Sequence, residues 1–179
     1  MKKFVLFGAM CQLALFMACS STQSLQEYYV DNSENPNFIS LNLPVSILNL
    51  EHADLTPAQR EALQSLRKLD VLAFRKKPDN TAAYNSEKAK VNEILKNKDW
   101  VELIKLNSKY GKGVVKYLGD ENAIDEVVIF GNSDDKGFAL IRVLGKNMNP
   151  AHIMQLLQAI QNSDYDGQAL GDIGQFLKG

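Results

Sequence analysis

Ile124-Asp125-Glu126-Val127-Val128-Ile129-Phe130, then Gly131-Asn132-Ser133-Asp134-Asp135-Lys136-Gly137, then Phe138-Ala139-Leu140-Ile141-Arg142-Val143-Leu144 is the stretch that decides the fold. Both arms are apolar and rich in β-branched residues. The seven residues between them are of the kinds that turn a chain or tolerate positive φ. The stretch predicts a long antiparallel hairpin, with Phe130 and Phe138 flanking its turn and facing the core. Immediately upstream, Lys109-Tyr110-Gly111-Lys112-Gly113 reads as another turn, leading into Val114-Val115-Lys116-Tyr117-Leu118. The spacing of Trp100 to Leu106 fits helix or strand equally, and the turn after it decides for strand. Downstream, Asn149-Pro150 opens a helix whose apolar stripe is Ile153, Leu156, Leu157 and Ile160.

Working further out, Phe38-Ile39-Ser40-Leu41-Asn42-Leu43 before Pro44 suits a first strand. Thr56-Pro57-Ala58-Gln59 supplies a helix start, with Thr as N-cap, Pro at the first helical position and Gln completing a capping box. Leu63, Leu66 and Leu69 continue it at helical spacing, and Val71-Leu72-Ala73-Phe74 is a second strand. A helix beginning near Ser86 carries Val91, Ile94 and Leu95 on one face. These elements predict an α+β fold: a two-layer sandwich with a mostly antiparallel sheet of five or six strands and helices packed on one face. The domain is expected over residues 38–162.

The first residues have a different character. Lys2 and Lys3 precede an apolar run from Phe4 to Met17, broken only by Gly8 and Gln12 and ending at Ala18 and Cys19. A charge step, an apolar stretch and a small residue make a signal peptide over residues 1–18, too short to span a bilayer, which takes roughly 20 apolar residues. Leu15-Phe16-Met17-Ala18-Cys19 resembles the lipobox of bacterial lipoproteins, which implies cleavage between Ala18 and Cys19 and lipidation of Cys19. Phe16 stands where that motif usually has Leu. An ordinary secretory cut after Ser20 is the alternative, since Ala18-Cys19-Ser20 also reads as small-x-small. Residues 19–37, rich in Ser, Gln and Asn, read as a lipidated N-terminus and flexible tether, with Leu25, Tyr28 and Tyr29 able to dock back. Ser20 and the lack of acidic residues before Glu27 point to an outer membrane, facing the periplasm.

The chain has two cysteines, and Cys11 leaves with the signal peptide. In an exported protein this excludes a disulfide framework, a cysteine metal site and a cysteine nucleophile. The net charge of −1 becomes −3 once Lys2 and Lys3 are removed, so no basic excess recruits nucleic acid. No cofactor motif is present: neither a phosphate-cradling glycine loop nor a serine nucleophile elbow occurs.

Phe38-Ile39-Ser40-Leu41-Asn42 resembles one signature of a family of small bacterial lipoproteins defined only as a domain of unknown function. The two arms Ile124 to Ile129 and Phe138 to Gly145 are similar to its other signature. The resemblance covers about Phe38 to Ile160 and rests on strand patterns and two glycines. It implies an exported α+β domain on a lipid anchor and carries over no catalytic or binding residue.

Candidate chemistry is sparse. His52 and His152 are the two histidines. Glu51 and Asp54 beside His52 lack a spacing that converges on one ion, so surface or capping roles are expected and no metal site. Asn162-Ser163-Asp164-Tyr165-Asp166-Gly167 has oxygen side chains at loop positions one, three and five and Gly at six, as a calcium loop requires, but Ile173 stands where a bidentate Glu belongs and Asp172 comes one residue early. A polar linker explains the same residues. Residues 163–179 read as a C-terminal tail, with Leu170, Ile173, Phe176 and Leu177 at the spacing of a short docking helix. Asp134 and Asp135, neighbours in a turn, point apart and make a poor acid/base pair.

Charge is segregated along the chain. Asp120 to Asp135 holds six acids and no base, while Lys88 to Lys116 holds eight lysines against three acids. Solvated element faces explain such runs, and a surface that steers a partner is the functional alternative. The expectation is a membrane-anchored envelope protein that is no enzyme and serves as a protein-binding or envelope-signalling module, with an envelope protein as partner. The alternative is a carboxylate-dependent hydrolase acting on cell-wall or glycan material, with carboxylates brought together by the fold.

Overall fold

The structure is a computed structural model that describes residues 23–48, 50, 54–108, 111–120 and 123–162. Among the described residues the elements run α1 (Leu25–Asn32), β1 (Phe38–Pro44), α2 (Pro57–Ser65), β2 (Leu66–Arg75), α3 (Thr81–Leu95), β3 (Val101–Ser108), β4 (Gly111–Asp120), β5 (Ala123–Ser133), β6 (Gly137–Met148) and α4 (Pro150–Asn162). Short 3-10 turns at Val45–Leu48 and Pro78–Asn80 join β1 to α2 and β2 to α3. The strands form one sheet in the order β1-β2-β6-β5-β4-β3, and every pairing is antiparallel. The expected α+β class and strand number hold.

The hairpin that opened the reading is β5–β6. Its register is Phe130↔Leu140 and Ser133↔Gly137, so the turn proper is Asp134–Lys136 and the pairing runs on through Gly131–Ser133. Gly137 sits at φ +127, and a Cβ there would strike the carbonyl oxygen of Phe74 on the adjacent β2. Of Trp100 to Leu106, Val101 to Leu106 is strand, within β3, and Trp100 stands just before it.

Helices cover both faces of the sheet, which corrects the two-layer, one-face arrangement. On one face, α1 and α3 pack on Leu72, Phe74, Val128, Phe130, Phe138 and Leu140. On the other, α2 and α4 pack on Leu69, Val115, Tyr117, Val127 and Val143. We call these the α1/α3 face and the α2/α4 face. Covering both sides is why β2 reads as an unbroken apolar run: Val71, Leu72, Ala73 and Phe74 are all buried, and they point alternately to the two layers.

A register shift between Ile124 and Glu126, with Asn147 at φ 52, breaks the alternation near the strand ends. It turns Ile124 and Met148 to the α2/α4 face, where both are fully buried.

Two boundaries differ from expectation. Leu66 and Leu69 belong to β2 and not to the preceding helix, because α2 ends at Ser65 and Leu66 is already extended (φ −76, ψ 150). Burial in a central strand outweighs a helical spacing only one turn long. More consequentially, the flexible tether does not extend to Asn37. α1 lies within that stretch, with Leu25, Tyr28, Tyr29 and Asn32 buried. A complete capping box starts it: Ser24 Oγ accepts from the Glu27 amide at 3.2 Å, and Glu27 accepts from the Ser24 amide at 2.7 Å. Tyr29 Oη lies 2.9 Å from the Asp70 carbonyl and 2.6 Å from the Leu140 carbonyl, tying α1 to β2 and β6.

The α1/α3 layer centres on an aromatic cluster. Phe138 stacks on Phe74 at 5.6 Å and meets Phe38, Phe130 and Tyr84 at 5.9, 5.7 and 6.2 Å. Phe130 and Phe138 are thus buried as expected, and each truncation to Ala should cost about 3–5 kcal/mol in chemical denaturation, with Phe138→Ala the larger because it loses four aromatic neighbours. A cost near that of an exposed residue would show the register to be wrong.

The same layer predicts an alkaline limit. Burial raises the phenol pKa of Tyr28, where the Glu87 carboxylate at 3.0 Å adds to the effect, and likewise those of Tyr29 and Tyr84. A raised folded-state pKa means stability that is complete below the unfolded value near 10 and is lost as pH rises beyond it. Tyrosinate absorbance should therefore appear together with loss of the circular-dichroism signal above about pH 10. Full ionisation of these phenols in a still-folded protein would contradict their burial.

Candidate functional site

Ala18, Cys19, His52 and residues 163–179, with all but the first residue of the candidate calcium loop, lie outside the described residues. His152 sits on α4 with its Nδ1 3.4 Å from Glu61 Oε2 on α2, without hydrogen-bond geometry, while its amide helps cap α4 by donating to Asn149 Oδ1. Among the described residues no three His, Cys, Asp or Glu side chains are grouped to hold a metal ion.

The two charge runs do not form opposed patches. Glu126 is buried on the α1/α3 face in a bidentate pair with Arg142, at 2.6 and 2.8 Å, and that hydrogen bonding raises the pKa of Arg142. Asp70, cross-strand from Arg142, is buried beside it with Lys68 Nζ at 3.1 Å. Asp134 receives a 2.8 Å hydrogen bond from Lys88, which holds its carboxyl below the ordinary range.

The lysines do converge. Lys96, Lys105, Lys112 and Lys116 surround an open groove of about 510 Å³ between α3 and β3–β4, with Glu102 as the acid in its lining and Leu95, Val114 and Phe130 as its floor. Lys116 Nζ donates to the Leu95 carbonyl at the end of α3, at 2.6 Å.

A second cleft of about 400 Å³ lies at the opposite end of the strands from the Asp134–Lys136 turn. Ser24 and Leu25 at the start of α1, Trp100 and Asp99 after α3, and the Glu126–Arg142 pair line it. It contains two carboxylates, but Glu126 already gives both oxygens to Arg142, which leaves no poised acid/base pair there.

The α2/α4 face offers a different surface. Leu41, Val71, Ile141, Ile129, Val115 and Ile104 are successive cross-strand partners, forming one apolar row across all six strands. Val71 and Val115 in that row are buried, while Leu41, Ile141, Ile129 and Ile104 are partly exposed; the described packing of α2 and α4 is on the half of the face toward Leu69, Val127 and Val143. The next row, toward the hairpin turn, is floored by small residues: Ala73, Ala139, Gly131 and Gly113. A Cβ at Gly131 would meet no atom within 4 Å.

Ile129 and Ile141 also line an apolar cavity of about 130 Å³ that continues beneath α4 between Leu69, Val127, Ile153 and Leu156. That volume suits a single hydrophobic group, comparable to an engineered cavity of roughly 150 Å³ that takes a benzene ring. The sequence marked Ile153 and Leu156 as a buried stripe and Ile129 and Ile141 only as parts of apolar strands. Their partial exposure depends on where the two helices stop.

No curated protein and no solved structure matches the chain. A family model does match, over residues 28–156, from within α1 to within α4, so it takes in the whole sheet and helices from both layers. The chain belongs to the family described as Domain of unknown function (DUF4252).

Proposed function

We propose that the protein is an envelope lipoprotein, held by lipid on Cys19 at the outer membrane facing the periplasm, whose domain works by contact with another envelope protein. The observation that carries this reading is the half-open apolar row on the α2/α4 face, with a cavity of one side chain's size opening beneath it. A flat apolar sheet surface beside a pocket for one anchoring group is the anatomy of a binding hot spot. The lysine groove on the α1/α3 face adds a charged surface that speeds encounter with an acidic partner. Hydrolysis by carboxylates would need a group free to move a proton, and the most buried candidate, Glu126, is locked to Arg142.

The anchor is tested by Cys19→Ala, which should abolish incorporation of labelled palmitate; undiminished labelling would remove Cys19 from the proposal. A diacylglycerol with an amide-linked acyl chain exceeds the single chain that binds membranes only marginally. For the partner, a photo-crosslinking residue at Gly131 should trap one envelope protein in intact cells, and the same group at Asp79 on the opposite side should not. Absence of any adduct, together with reproducible hydrolysis of a purified envelope polymer by the protein, would replace this reading with the hydrolase.

Glu126 and Arg142 then act in stability alone. Arg142→Met should cost about 3–5 kcal/mol by leaving a buried carboxylate unpaired, and adding Glu126→Leu should recover much of it. A double variant as unstable as the sum of the singles would show that the two do not act as a pair.

A further inference from the structure

We infer that the domain rides directly on the bilayer, with the end that carries Ser24, Trp100 and the turn after α3 against the lipid headgroups and the Asp134–Lys136 turn pointing away. This rests on the proposed lipidation of Cys19, and on one structural fact: the folded domain already includes α1 and its Ser24 capping box, well before Asn37. Ser24 is five residues beyond Cys19. At no more than 3.3–3.6 Å per residue, the connection spans at most about 18 Å fully extended. The headgroup layer takes up roughly 5–8 Å of this on each side of the hydrocarbon core, so about 10 Å of free reach remains. A tether running to Asn37 would have reached roughly 60 Å and left orientation open.

α1 itself cannot peel away to lengthen the connection without exposing buried Leu25, Tyr28 and Tyr29 and breaking the Tyr29 contacts to Asp70 and Leu140. The surface around Ser24 is therefore the one that meets the membrane. Trp100 lines the same cleft as Ser24 and belongs to a residue type enriched at bilayer interfaces. Charge does not drive the contact, because the turn after α3 presents Lys96 and Lys98 together with Asp99, and Asp120 stands at the end of β4. Tether length sets it. The apolar row lies nearer the hairpin turn than Leu69, Val127 and Val143, and so is left facing away from the lipid.

Trp100 is the chain's one tryptophan, which makes its fluorescence a reporter of this surface. The lipidated protein, reconstituted in phosphatidylcholine vesicles containing a headgroup-nitroxide phosphatidylcholine, should show Trp100 emission quenched several-fold relative to nitroxide-free vesicles. A fifteen-residue Gly/Ser insert between Thr22 and Gln23, adding a coil reach of roughly 20 Å, should relieve most of that quenching while the lipid stays attached. In a Trp100→Phe background, a reporter introduced by Asp135→Trp should be little quenched. Quenching that is equal at both positions, or unchanged by the insert, overturns the inference. So does an unquenched Trp100 in protein whose mass shows lipid on Cys19. A mass without lipid on Cys19 overturns the anchor itself.

Discussion

The ladder between β2 and β6 joins segments about 60 to 80 residues apart in sequence, and it runs from Leu66↔Gly145 to Arg75↔Gly137. Both strands lie inside the sheet and both carry apolar side chains on each face, so closing this ladder creates two hydrophobic surfaces at once. Neither can remain open along its length, and the four helices divide between them. The Phe74 and Phe138 rings, directly paired in the ladder, become the centre of the aromatic cluster, while Val71 and Ile141 pair toward the opposite layer. Because the contacts are so distant in sequence, the loop-closure entropy is substantial, and the dense aromatic burial around Phe138 offsets it.

That ladder also determines where the charges go. Asp70 and Arg142 are cross-strand partners within it, and Arg142 reaches diagonally to Glu126 on β5. Two carboxylates and a guanidinium are thereby enclosed under α1, whose Tyr29 hydroxyl meets the backbone carbonyls beside them. An acid that looks solvent-facing in the linear sequence is instead a fixed part of the interior. Held by Arg142, Glu126 is not free to move a proton.

The two layers are unequal, and the inequality has a physical source. α1 and α3 bury large aromatic rings on their side, including Tyr28 and Tyr84 from the helices themselves. α2 and α4 pack chiefly on each other and on one half of the sheet. The other half keeps the partly exposed Leu41, Ile141, Ile129 and Ile104 beside the partly exposed small residues Ala139, Gly131 and Gly113. A sheet face that is apolar and only partly covered is the surface on which the proposed contact rests.

How much of this was legible beforehand depended on the range of the interactions. Turn chemistry at Asp134–Lys136, the Thr56 capping box and the Asn149-Pro150 start are local, acting over a few bonds, and they located the β5–β6 hairpin, α2 and α4 in the sequence. Ser24-x-x-Glu27 was an equally local signal for α1, outweighed by the polar composition around it. The unbroken run Val71–Phe74 carried the information that both faces are covered, since one-sided burial would have required alternation. What the sequence by itself determined was every described element except α1, together with the α+β class. Tertiary structure alone decided that the helices split between two layers, that Glu126 is neutralised by Arg142, and that the row through Ile129 and Ile141 stays half-exposed. Each of these turns on which distant segments pair and how far a helix extends over its neighbour, and such pairings have no counterpart in local spacing.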